Sequence, residues 1–150
     1  MEDQEKKKIL FAFLKQQKLG VMATVTAAGA PEAAVLEFAQ NQELEIIFGT
    51  FSIYRKYKNM QQNPQVAWVF GWDEGVTVQY EGIAAELAGE ELLKYKAALF
   101  SKLPEAKRFD DWDEIKYFKV TPIWIRYADY SIHPWNIFEL DFEEGEEEEL

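Results

Sequence analysis

The most chemically informative part of the sequence is a junction where a predicted strand ends and a predicted helix begins. Thr50 and Ser52 carry hydroxyl groups soon after the mainly apolar segment 44–48, and Arg55 and Lys56 follow. Free backbone N–H groups and the positive end of a helix dipole meet at such a junction. The sequence therefore predicts an anion site, where charge-assisted hydrogen bonds would hold a doubly charged phosphate monoester.

The spacing along the predicted helix favours the same site. Ser52, Lys56 and Asn59 stand at positions i, i+4 and i+7, which share one face of a helix. We expect this helix over residues 52–62, because the residue before Pro64 is disfavoured in the helical conformation. The alternative is that Ser52 only caps the helix and that the basic side chains form a solvated face.

Several other kinds of site are excluded by the residue types. The chain has no cysteine and a single histidine, His133, which excludes zinc ribbons, iron–sulfur clusters, thiol nucleophiles and multi-histidine metal sites. It contains no Gly-x-Ser-x-Gly sequence, so we expect no hydrolytic triad. The formal net charge of −11 disfavours binding to nucleic acid, which needs clustered lysine and arginine. We therefore expect neither a metal nor nucleic acid as a partner.

Six strands and three helices are predicted to position the junction. The helices are expected at residues 3–18, 52–62 and 89–101, the strands at 21–26, 32–38, 44–48, 66–72, 76–87 and 115–127, and an irregular or short helical connector at 104–112. The first three strands are expected to form an antiparallel meander, and the next two a hairpin. Short strands with mostly hairpin connections favour a mainly β fold, a six-stranded antiparallel barrel with flanking helices.

The chain length and composition indicate one domain. A length of 150 residues with 48% apolar content supports one core, which we assign to residues 1–140. Residues 141–150 are rich in glutamate and lack apolar periodicity, so we predict a disordered acidic tail. No apolar run approaches the about 20 residues needed to cross a bilayer, and the first residues lack a signal-peptide pattern. We therefore expect a cytoplasmic protein that does not bind membranes.

The junction and its flanks resemble a known family. Thr50 stands six residues before Lys56, an Arg-Lys pair occupies 55–56, and Asn-Pro-Gln-Val-Ala at 63–67 opens the next strand. Together with the residues at 78–84, these features resemble the pyridoxamine 5′-phosphate oxidase-like family of FMN-binding split barrels. The resemblance covers about residues 20–128 and is nearest to the general-stress-protein branch of the family.

This resemblance implies an FMN cofactor held at the interface of a homodimer. The candidate cofactor-binding residues are Val35, Leu36, Glu37, Thr50, Ser52, Arg55, Lys56, Gln79 and Trp135. By the resemblance, Thr50, Arg55 and Lys56 would hold the phosphate, and backbone groups of residues 35–37 would bind the edge of the flavin ring. The sequence assigns no catalytic residue, and by the resemblance the flavin would carry the redox chemistry.

Two of these candidates have simpler alternatives. Gln79 could reach a flavin carbonyl, but an exterior glutamine exposed to water is the simpler interpretation. Trp135 could stack on the flavin of a neighbouring subunit, whereas packing in the core or at the dimer interface is the alternative.

The sequence also departs from the vitamin-B6 oxidases. Their second-strand arginine, which also binds the FMN phosphate, has no counterpart within residues 32–36, and no Arg-x-His segment occurs near the C-terminus. We therefore do not expect pyridoxamine phosphate as the substrate. The predicted function is a flavin-dependent oxidoreductase that acts on a small, unidentified molecule.

Three alternatives stay open at this level. The protein could be a non-catalytic flavin-binding, redox or stress-response protein that has lost or reduced its activity, as the missing arginine suggests. A deazaflavin or heme could replace FMN in the same barrel. A barrel enclosing an apolar ligand is disfavoured by Lys56 and by the helix that interrupts the strands.

Overall fold

The computed structural model describes residues 1–142, which form a curled antiparallel sheet with three α-helices. The helices are α1 (Asp3–Gln16), α2 (Arg55–Gln62) and α3 (Gly89–Lys102), followed by a 3₁₀ helix (Pro104–Phe109). The strands are β1 (Leu19–Val25), β2 (Pro31–Glu37), β3 (Ala39–Gln40), β4 (Ile46–Phe51), β5 (Gln65–Phe70), β6 (Val76–Glu86), β7 (Ile115–Asp129) and β8 (Asn136–Asp141). The mainly β, antiparallel split-barrel architecture predicted from the sequence is confirmed.

The sheet has eight strands rather than the predicted six. Its order is β2-β1-β5-β6-β7-β4-β3, and β8 pairs with the C-terminal part of β7, residues 124–129. The two additional strands are β3, which has only two residues, and β8. In β8 the buried residues Phe138 and Leu140 alternate with exposed ones, and only its last residue, Asp141, falls within the predicted acidic tail.

The strand pairing corrects one sequence prediction. The hairpin of β1 and β2 is confirmed, with Leu19 opposite Glu37 and Val25 opposite Pro31. The predicted three-stranded meander is wrong, because β4 pairs with β7 and β3 and not with β2. Strands that follow one another in sequence are usually neighbours, so the local pattern could not reveal the distant partner. In the described structure β2 thus keeps one unpaired edge, which faces the gap to β4.

A bulge allows the two longest strands to curl. The ladder between β6 and β7 shifts register between Glu81 and Gly82. A Cβ atom at Gly82 would lie 2.5 Å from the carbonyl oxygen of Thr121 and 2.7 Å from Cγ1 of Val120. Glycine is therefore required where the two strands approach so closely, and the bulge bends the sheet around its core.

Two apolar clusters hold the fold together. The larger one lies inside the curled sheet and is rich in aromatic residues, and α1 contributes Leu10 and Leu14 to it. The smaller cluster lies beneath α3, where Tyr95, Leu99 and Leu103 pack on strand residues that include Ile47 and Tyr117. Helix α2 packs on β1. Within residues 1–142 no helix is long and apolar enough to cross a membrane.

The predicted boundary of the acidic tail lies at the last strand. Asp141 belongs to β8, and the N–H of Phe142 donates a hydrogen bond to the carbonyl oxygen of Ile123 at 2.9 Å. The first residue of the predicted tail is therefore part of the sheet. Residues 143–150 lie outside the described residues, so the predicted disorder there stays a prediction.

Lys102 of α3 is a partly buried lysine that contacts α1 and β3. The ammonium group of Lys102 donates to the carbonyl oxygen of Leu14 at 3.1 Å and to Oε1 of Gln40, and it lies 4.0 Å from the centroid of the Phe38 ring. Burial lowers the pKa of Lys102 to about 8. The unfolded chain therefore binds the proton more tightly than the folded chain, so this group destabilises the fold below pH 8 and does so less as the pH rises.

We therefore expect the free energy of unfolding to rise by about 1 kcal/mol more in the parent than in Lys102→Met between pH values of about 7.5 and 9.5, after discounting for partial exposure. Methionine keeps most of the apolar stem and removes the titrating group. Urea unfolding of both proteins across this range measures the difference. Equal pH dependence in the two proteins would contradict the assignment.

Candidate functional site

Two clefts lie along β2. The first, which we call the α2 cleft, has a volume of about 340 Å³. It is lined by Met22 and Thr24 of β1, by Glu32, Ala33 and Ala34 of β2, and by Tyr54, Arg55 and Lys56 at the start of α2. The structure therefore brings the predicted residues Arg55 and Lys56 into one concave site.

The start of α2 differs from the prediction. The helix begins at Arg55 with Tyr54 as its N-cap residue, and no side chain caps it. Ser52 lies outside the helix, and its N–H donates to the carbonyl oxygen of Glu114 at 2.8 Å. Its predicted roles as a cap and as part of a helical face with Asn59 are therefore wrong. Asn59 is itself buried, because α2 turns this residue toward β1.

Lys56 is the cation of the α2 cleft that has no acidic partner. Its Nζ atom lies 4.8 Å from the centroid of the Tyr54 ring, and no carboxylate of residues 1–142 lies within 4.0 Å of it. Burial lowers the pKa of Lys56. A partly desolvated ammonium group without a counter-ion is suited to binding an anion.

Arg55 has an acidic partner within the cleft. Its Nη1 atom lies 2.9 Å from Oε2 of Glu32, and Nδ2 of Asn59 donates to Oε1 of the same carboxylate at 2.8 Å. Nδ2 of Asn59 also donates to the buried hydroxyl of Thr24 at 2.9 Å. No local sequence pattern reveals this network, because it depends on Thr24 lying opposite Glu32 in the β1–β2 hairpin and on Asn59 of α2 packing against both.

The second cleft, which we call the β2–β4 cleft, has a volume of about 190 Å³. It is lined by the predicted residues Val35, Leu36 and Glu37, by Gly49 and Phe51 of β4, and by Leu99, Leu103, Ala106, Phe109, Ile115 and Tyr117. These residues are mostly apolar. The two clefts are neighbours, since β2 contributes residues to both. In addition, the ring of Phe51 in this cleft packs edge to face on the ring of Tyr54 in the α2 cleft, with 5.5 Å between the ring centroids.

Tyr117 is the most strongly perturbed acid of the β2–β4 cleft. Its hydroxyl donates to Oδ1 of Asp110 at 2.9 Å, and the Lys96 ammonium pairs with the same carboxylate at 2.9 Å. Burial and the hydrogen bond to Asp110 raise the pKa of Tyr117 far above its ordinary value. This phenol therefore keeps its proton and lines the cleft as a neutral group.

The remaining predicted residues lie elsewhere in the chain. Thr50 does not line either cleft; it is 2% exposed, and its hydroxyl has no hydrogen-bond partner within residues 1–142. Gln79 is exposed on the outer face of β6, where it lines a separate groove with Trp124. Trp135 is 59% exposed between β7 and β8 and packs edge-on against Tyr130 at 4.9 Å. Within one chain these residues are not part of one site.

The residue types in the clefts suit an organic anion better than a metal ion. No group of three or more histidine, cysteine, aspartate or glutamate residues within residues 1–142 could hold a metal. The single histidine, His133, lies in neither cleft. The arrangement therefore combines a cationic end beside α2 with an apolar slot along β2.

Comparisons with known proteins agree on the fold. The family model described as pyridoxamine 5′-phosphate oxidase matches residues 7–147. A search of curated proteins gave no match. A solved heme-binding protein from Mycobacterium smegmatis is similar over 94% of this chain, with a TM-score of 0.77 and 16% identity, and this chain covers 59% of its length.

Two further solved structures are similar over most of their own length. An FMN-binding protein related to pyridoxamine 5′-phosphate oxidase, from Nostoc punctiforme, has a TM-score of 0.71 and 12% identity, and the match covers 97% of this chain and 93% of that one. HutZ, the heme storage protein from Vibrio cholerae, has a TM-score of 0.66 and 23% identity, and the match covers 80% of this chain and 89% of that one. At these identities the likeness shows a shared fold.

The Asn59 network generates a prediction about stability. Asn59→Ala removes the donor shared by the Thr24 hydroxyl and the Glu32 carboxylate, and it leaves buried polar atoms unpaired. We expect a loss of about 1–3 kcal/mol in the free energy of unfolding, measured by urea denaturation. Gln62→Ala, at an exposed position of the same helix, is the matched control. Equal stability of the two variants would show that the network contributes nothing.

Proposed function

The chain belongs to the pyridoxamine 5′-phosphate oxidase family, and we propose that it is a flavoprotein that binds FMN along the unpaired edge of β2. In this proposal the phosphate occupies the α2 cleft and the flavin ring occupies the β2–β4 cleft. The observation that carries the proposal is Lys56, a partly buried cation without an acidic partner in the described structure, at the start of a helix.

The phosphate end is supported by the kinds of donor that meet in the α2 cleft. Lys56 and Arg55 supply two positive charges, and their backbone N–H groups, at the first turn of α2, have no partner inside the helix, whereas that of Tyr57 donates to the carbonyl oxygen of Tyr54. The Thr50 hydroxyl is buried outside this cleft, so it is not counted among these donors. These groups fit a phosphate, with Glu32 as the one opposing charge.

The ring end is supported by the shape and chemistry of β2. Because one edge of this strand is unpaired, backbone groups of residues 35–37 are available to the polar edge of a flavin ring. Phe51, Leu103 and Phe109 supply an apolar wall that excludes water. From Ala33 to Leu36 the strand rises about 10 Å, which allows one ligand to reach both clefts.

The chemistry of such a protein would come from the cofactor. A bound flavin supplies transfer of a hydride or of single electrons. The residues of this chain position the ring, hold its phosphate and exclude water, and Tyr117 keeps its proton. We assign no catalytic side chain and propose a small, unidentified substrate for a flavin-dependent oxidoreductase.

We also propose that two copies form a homodimer through the outer face of the sheet. Two grooves on this face expose Ala67, Val69 and Ile123, and Gln79 lies beside them. Exposed apolar side chains on one sheet face are typical of an interface. Gln79 and Trp135 line neither cleft of their own chain. In the dimer they would approach the flavin of the partner subunit.

A non-catalytic flavin-binding protein is the second candidate. The Glu32 carboxylate in the α2 cleft favours this candidate, because an acidic group beside the phosphate weakens retention of FMN. Weak retention suits a protein that carries and releases FMN more than an enzyme with a resident cofactor. Turnover separates the candidates: an oxidoreductase oxidises a nicotinamide donor faster than free FMN does. Turnover equal to that of free FMN favours the binding protein.

The proposed phosphate site can be tested with a pair of lysine variants. Lys56→Gln should weaken FMN binding about 10-fold to 100-fold, because one charge-assisted hydrogen bond is lost. Riboflavin, which has no phosphate, should bind both proteins alike. Lys58→Gln, an exposed position on the same helix, should match the parent. Quenching of flavin fluorescence on titration measures the affinities of the parent and of both variants.

Two results would contradict the proposal. Equal FMN affinity in the Lys56 and Lys58 variants would show that the phosphate is not at Lys56. Binding of hemin by the parent without any binding of FMN would assign the barrel to heme instead.

A further inference from the structure

Glu32 places a negative charge in the cleft that is proposed to bind a phosphate. We infer that Glu32 acts as an internal competitor for that phosphate, so that the protein holds FMN exchangeably and discriminates weakly between FMN and riboflavin. This inference rests on the proposed function and deepens it. It assigns an affinity-determining role to a residue that acts against the ligand.

The Glu32 carboxylate is the fixed member of its ion pair. Its side chain is 21% exposed, whereas that of Arg55 is 82% exposed. One carboxylate oxygen accepts from Nδ2 of Asn59, which is 5% exposed and anchored by the hydroxyl of Thr24. Hydrogen bonding to the buried Asn59–Thr24 pair restrains the Glu32 carboxylate, whereas nothing comparable holds the exposed Arg55. The negative charge therefore stays in the cleft, and Arg55 is the partner that can move.

The charges of the cleft explain why the competition matters. Lys56 and Arg55 contribute two positive charges, and Glu32 cancels one of them. An arriving phosphate dianion must share Arg55 with Glu32 or take it away, and it is also repelled by the carboxylate. Both effects depend on the phosphate group, so they reduce the affinity for FMN and leave the affinity for riboflavin unchanged.

The charge of Glu32 can be separated from its structural role. Glu32→Gln keeps the size of the side chain and keeps an oxygen that can accept from Asn59. We expect this variant to bind FMN at least about tenfold tighter than the parent and to release it correspondingly more slowly. Its affinity for riboflavin should stay within about twofold of the parent. Glu43→Gln, at an exposed position between β3 and β4, is the control and should behave as the parent does.

The outcomes separate this inference from the proposed function. Suppose that the parent binds FMN through Lys56 and that Glu32→Gln binds FMN equally or more weakly. This result overturns the inference and leaves the proposed function intact. Tight FMN binding by Glu32→Gln and weak binding by the parent supports both. Absence of FMN and riboflavin binding from both proteins overturns both. Fluorescence titration measures the equilibrium affinity for FMN and for riboflavin. The rate of FMN release is measured by dialysis or by capture of the released FMN on excess apoflavodoxin.

Discussion

The unpaired edge of β2 is the constraint on which the candidate site depends. Strand β4, which a simple meander would place beside β2, takes its hydrogen bonds from β7 and β3 instead. The sheet therefore curls without closing at this point, the β2–β4 cleft opens in the gap, and the α2 cleft adjoins it over β1 and β2. The bulge at Gly82 lets the long β6–β7 ladder bend, so the same curvature that encloses the aromatic core also creates the gap.

The electrostatics of the gap divide it into two ends. Beside α2, the partly desolvated Lys56 and the first-turn N–H groups favour an anion, whereas the Glu32–Arg55 pair weakens that preference. Along β2 and β4 the walls are apolar, and Tyr117 stays protonated. This arrangement suits a ligand with a charged end and a flat apolar end. It also explains why no acid–base pair needs to be assigned, since a flavin needs its protein mainly for position and for shelter from water.

Local patterns predicted much of the fold and the cationic part of the site. Strands β5 and β6 have clear alternation, and Arg55 and Lys56 lie on the helix that follows β4, as expected. What failed depended on distant partners. The pairing of β4 with β7 and the short strand β3 leave no local signal, and β8 is a six-residue strand whose partner, β7, is recognised only in the folded sheet.

The network around Glu32 shows the same limit. Asn59 was expected on the exposed polar face of a helix that starts at residue 52. The helix instead starts at Arg55, and Asn59 is buried against Thr24 of β1. Only the packing of α2 on β1 and β2 reveals that Glu32 belongs to the cleft, although the absence of the second-strand arginine was visible in the sequence.

The most direct test of the central claim is a crystal structure of the protein grown with FMN. The account predicts the phosphate in the α2 cleft within hydrogen-bond distance of Nζ of Lys56, about 2.7–2.9 Å, and the flavin ring against residues 35–37. FMN bound with its phosphate elsewhere, or an α2 cleft left without FMN at saturating concentration, would contradict it.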